Sequence, residues 1–105
     1  MMTNDFPALR TELRQGYRDL MQVIPDQMKG FGDLHRSAVK EGALNQATKE
    51  LMAVAIAICT RCDDCITLHM HDALRAGATP EMVHETIGVA LLMGGGPAST
   101  YATHA

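Results

Sequence analysis

Three sulfurs lie close together in this 105-residue chain, at Cys59, Cys62 and Cys65, and there are no other cysteines. Cys62 and Cys65 form a Cys-x-x-Cys, a spacing at which two thiols can close into a disulfide. An odd, crowded set differs from the even, dispersed cysteines of secreted disulfide-stapled domains, and points to redox chemistry or metal binding. His69 follows Cys65 by four positions. On a helix that spacing brings Cβ atoms to about 5–6 Å, near enough for an imidazole to take a thiol proton directly or through a water. Glu50 is the one acid between Glu41 and Asp63 and leads an otherwise apolar stretch. A carboxylate beside the imidazole would orient it and stabilise its charged form, as the third member of a relay.

These groups need helices to position them, and the pattern predicts helices throughout. Phe6, Leu9, Leu13, Tyr17, Leu20 and Ile24 recur at three- and four-residue steps, an amphipathic stripe that Asp5 can cap and Pro7 can open. Pro25 starts a second helix with Met28, Phe31, His35 and Ala38 on one side, and Gly42 stands where its C′ residue would fall. Asn45 is a good N-cap for a third helix from about Gln46 to Cys59, apolar all round between Leu51 and Ile58. A fourth runs from about Cys62 to Ala76 and closes at Gly77. Thr79, Pro80 and Glu81 open a fifth, which Gly94, Gly95, Gly96 and Pro97 stop near Met93, leaving room for one more short turn.

On the fourth helix, at 100° per residue, Cys62, Cys65, Ile66, His69, Ala73 and Ala76 share the inward face. Asp63, Asp64, Thr67, His71 and Arg75 share the other. Folding the third helix back on the fourth near Cys59 and Thr60 leaves Glu50 and His69 each about nine residues from the turn. Both then lie roughly 14 Å from the hairpin tip, opposite each other. Two arguments compete over which sulfur attacks. The helix start favours a thiolate at Cys62, with Asp63 and Asp64 opposing it; the relay favours Cys65, because a dedicated base acts only through contact. The relay argument assigns attack to Cys65 and resolution to Cys62.

Glu50, eleven residues, Cys62, two residues, Cys65, three residues, His69 resembles the alkylhydroperoxidase D-like branch of the carboxymuconolactone decarboxylase family. The KELMAVAIA lead-in, the RAGATPEMV turn and the LMGGGP end look similar too, over about residues 20 to 100. The resemblance implies an all-helical domain assembled as homotrimers or homohexamers. It also implies a hydroperoxide substrate, reduced without metal or organic cofactor through a relay from Glu50 via His69 to Cys65. Cys65 would become a sulfenic acid, Cys62 would condense with it to a disulfide, and an external thiol reductant would reopen the pair. Asp64 stands where well-known members carry a histidine, and Cys59 has no place in the scheme.

Composition bounds the remaining possibilities. Twelve acids against nine bases leave a net charge of −3, so no nucleic-acid footprint is expected. No apolar run reaches the roughly 20 residues of a membrane span, and MMTNDFPALR lacks the layout of a secretion signal. The expectation is a cytoplasmic all-α protein. It is a compact single domain over residues 1–105, a bundle of five to six helices around a central antiparallel hairpin. The alternative function is a non-catalytic zinc- or redox-sensing oligomer, with Cys59, Cys62, Cys65 and His69 as a Cys₃His zinc set. Cys59 is otherwise expected in the core, the methionines as core filling, His71 on the solvated face, and His35, His84 and His104 in no constellation. With two Phe, two Tyr and no Trp, five short helices leave apolar faces uncovered. Subunit association through the third and fifth helices is therefore expected.

Overall fold

The computed structural model describes residues 6–105, and over these it contains five helices and no strand: α1 (Phe6–Val23), α2 (Pro25–Val39), α3 (Gln46–Cys59), α4 (Asp63–Arg75) and α5 (Pro80–Ala102). The all-α expectation holds; the Asp5 cap falls outside the described residues. α3 is the hub, packed against α2, α4 and α5, while α1 lies on α2 and α4. Its central place follows from its composition, since Leu51, Val54, Ala57 and Ile58 are all buried against its neighbours, while Met52 and Ile56 leave one side of this apolar helix uncovered.

Side-chain caps set the helix starts. The Asn45 side chain accepts the Thr48 N–H and that of Glu41 accepts the Gln46 N–H, so two donors at the start of α3 are satisfied. Thr79 caps α5 in the same way, accepting the Met82 N–H. α4 ends in a Schellman motif, with Gly77 at φ 102, Ala78 N–H on Ala73 C=O and Gly77 N–H on Leu74 C=O. α2 ends differently from expectation. It stops at Val39, one turn before Gly42, and Gly42 has no left-handed backbone.

α5 continues past Met93. Gly95 turns the chain with φ 67, and a further helical piece runs on to Ala102. Gly94 is needed for a different reason. A Cβ there would lie 2.4 Å from Ala98 Cβ and 3.0 Å from Cys59 Sγ, so its missing side chain lets α5 close on α3. Cys59 is partly buried in that contact, its thiol donating to Ala90 C=O at 3.5 Å.

Several faces depart from the sequence reading. Thr67 is buried and His71 half-buried, because α1 covers the side of α4 that a helical wheel assigns to solvent. Met21, Met52 and Met93 are exposed instead of filling the core, as are Tyr17, Leu20 and Ile24 of the α1 stripe and Phe31 of α2. The molecule is a slab of 39 × 38 × 21 Å.

Candidate redox site

The hairpin of α3 and α4 turns within three residues. α3 also ends in a Schellman motif, with Cys62 N–H on Ala57 C=O and Arg61 N–H on Ile58 C=O, and here Arg61 takes the left-handed position at φ 58. That turn delivers Cys62 as the N-cap of α4, where its sulfur accepts the Cys65 N–H at 3.2 Å. Cys62 and Cys65 are joined as a disulfide across this first turn, with Cα atoms 5.2 Å apart.

One turn further along α4 is His69. Its Nδ1 lies 2.7 Å from Oε1 of Glu50, the register expected from equal distances to the hairpin tip. Glu50 is 1% exposed and His69 is 20% exposed at its side chain. A carboxylate only accepts hydrogen bonds, so with Glu50 in that form Nδ1 is the donor and Nε2 is left as an acceptor. An imidazole held this way can receive a proton at Nε2, and the resulting cation would rest against a buried carboxylate.

Two histidines missing from the sequence constellation belong to this neighbourhood. The His35 ring, from α2, stands 5.5 Å from that of His69. Nδ1 of His104 is 3.1 Å from Oδ1 of Asp63, bringing the end of the chain back to the start of α4 beside the disulfide. The helical period of α2 had marked the His35 face, but nothing local linked either residue to its partner, 34 or 41 positions away. Asp72, one turn beyond His69, joins His35 and Glu50 along a cleft of about 340 Å³. On its other side His69 borders an apolar cavity of about 410 Å³ walled by Phe31, Leu34, Met52 and Ile56. The larger cavity, about 530 Å³, lies under α1 on the opposite side of α4, and neither Cys62 nor Cys65 lines it.

The structure does not bring the Cys₃His zinc set together. Cys62 and Cys65 are bonded to each other, and Cys59 turns away to Ala90 on α5.

An all-helical bundle with a disulfide at a helix start and a carboxylate–imidazole pair one turn away defines a class of helical dithiol protein. The chain belongs to the carboxymuconolactone decarboxylase family, whose model matches residues 25–105. A relative from Cupriavidus necator, itself uncharacterized, is 39% identical over 99% of this chain and 92% of its own length. Among solved structures, the apo form of a carboxymuconolactone decarboxylase family protein from Legionella pneumophila superposes with a TM-score of 0.92. It is 35% identical, over 97% of this chain and 91% of that one. A family member from Thermotoga maritima, for which a part in the antioxidative response has been suggested, gives a TM-score of 0.79 at 29% identity, over 89% and 80% of the two chains. Among the described residues, no helix is long and apolar enough to cross a membrane.

Proposed function

We propose that this protein is a thiol-dependent peroxidase and disulfide oxidoreductase of the alkylhydroperoxidase type. The observation that carries the reading is the 2.7 Å pairing of His69 with buried Glu50, one helical turn from the Cys62–Cys65 pair. In the reduced protein, Nε2 of His69 takes the Cys65 thiol proton while Glu50 holds Nδ1–H. The Cys65 thiolate attacks the outer oxygen of a hydroperoxide and the O–O bond breaks. Cys65 becomes a sulfenic acid, and the alkoxide leaves with the proton from His69 as an alcohol. The Cys62 sulfur occupies the N-cap position, where a backbone N–H favours its thiolate. It attacks the sulfenic sulfur, forming the disulfide and releasing water. Two thiols and one hydroperoxide thus give one disulfide, one alcohol and one water.

An external thiol reductant restores the dithiol by exchange. The reading places the protein in the cytoplasm, where thiol pools persist, and working as a homo-oligomer. The apolar cavity beside His69 suits a hydroperoxide with a hydrocarbon tail better than hydrogen peroxide.

Reduced protein treated with cumene hydroperoxide is expected to lose two of its three thiols and recover them with dithiothreitol. Cys59→Ser should keep the reaction and Cys65→Ser should abolish it. Hydroperoxide consumption by Cys65→Ser at the wild-type rate would sink the proposal.

A further inference from the structure

Four potential metal ligands from three helices meet at the Glu50–His69 pair. They are His35 of α2, Glu50 of α3, and His69 and Asp72 of α4, and one donor atom of each lies within 4.8 Å of all the others. We propose that this cluster is a binding site for one divalent transition-metal ion, with Zn²⁺ the best fit, ligated by two imidazole nitrogens and two carboxylate oxygens.

The donor set suits the ion. Two neutral imidazoles and two carboxylates are borderline ligands that zinc accepts, and their two negative charges cancel a dication. Zinc bonds of about 2.0–2.2 Å place tetrahedral ligands roughly 3.3–3.5 Å apart. Separations of up to 4.8 Å must therefore close by as much as about 1.5 Å, and the Glu50–His69 contact must open slightly. His35 and Asp72 are only partly buried, which gives both side chains room to move. Glu50 gives the site its anchor. It is a carboxylate with 1% of its surface exposed, where an uncompensated charge is costly.

The cleft of about 340 Å³ along His35, Glu50 and Asp72 offers an entry path. Arg36 and Arg75 line the same cleft. The Arg36 guanidinium is bonded to Asp33 on its own helix. Arg75 makes no ion pair among the described residues and opposes a cation, so it limits the affinity.

Bound metal and the proton relay compete for Glu50 and His69. Slower peroxide chemistry in metal-loaded protein rests on the peroxidase reading, but the binding itself does not.

The test uses full-length protein, stripped with chelator, with the disulfide intact so that no thiolate of the pair can bind metal. Zn²⁺ titrated by calorimetry, and Co²⁺ by its visible absorption, should each saturate at about one ion per chain. The double variant Cys62→Ser/Cys65→Ser should bind equally well. His35→Ala and the near-isosteric Asp72→Asn should each weaken binding at least tenfold with helical circular dichroism unchanged, and Arg75→Ala should tighten it. No saturable binding would overturn the site, as would binding that both His35→Ala and Asp72→Asn retain. Neither result depends on peroxide turnover, so either is distinguishable from failure of the peroxidase reading.

Discussion

Glu50 and His69 approach to 2.7 Å across the α3–α4 hairpin, one buried in the core and the other partly open to the apolar cavity. The pair is structural as well as chemical, because a carboxylate in that position needs a hydrogen-bonding partner. His69→Ala leaves Glu50 buried without its partner and should destabilise the fold by about 2–3 kcal/mol. Adding Glu50→Gln removes the stranded charge and should recover part of that loss. Urea unfolding of the two single variants and the double variant measures the coupling. Additive effects would contradict it.

The Arg61 backbone offers a second measurement. α3 and α4 end in the same motif, but α4 uses Gly77 at φ 102 and α3 uses Arg61 at φ 58. A left-handed conformation costs a non-glycine residue about 1–2 kcal/mol. Glycine's greater freedom in the unfolded chain offsets about 0.4–1 kcal/mol of the relief. Arg61→Gly should therefore stabilise the protein by about 0.5–1 kcal/mol in urea unfolding, with the Cys62–Cys65 pair still able to form. A loss of stability would show that the arginine side chain contributes something the turn geometry does not reveal.

Assembly is the third expectation. The accessible surface is 6855 Å², against roughly 5,800 Å² for a folded monomer of this mass. Ile56 on α3 and Leu92 and Met93 on α5 are among its most exposed apolar groups, Leu92 at 80%. Light scattering on the native protein should give a mass several times 11.4 kDa. Leu92→Glu should reduce that mass while helical content is retained. A native monomer would contradict the expectation.

Much of this protein is determined by short-range sequence. Asn45, Thr79 and Gly77 set helix ends because capping acts over three or four residues, and these boundaries match the structure closely. The Cys62, Cys65 and His69 spacing sets a common face because helical geometry is local, and two helix lengths measured from one tight turn put Glu50 opposite His69. A single helical wheel, however, describes one buried face and carries no information on how many neighbours a helix has. The wheel of α4 therefore puts Thr67 and His71 on its solvent side, although α1 covers them. Tertiary structure alone decided that His35 stands against His69, that His104 reaches Asp63, and that Asp72 joins His35, Glu50 and His69 in one cluster. Each of these depends on how helices far apart in the chain approach one another, and that is settled by packing across the whole bundle, down to the Cβ that Gly94 lacks.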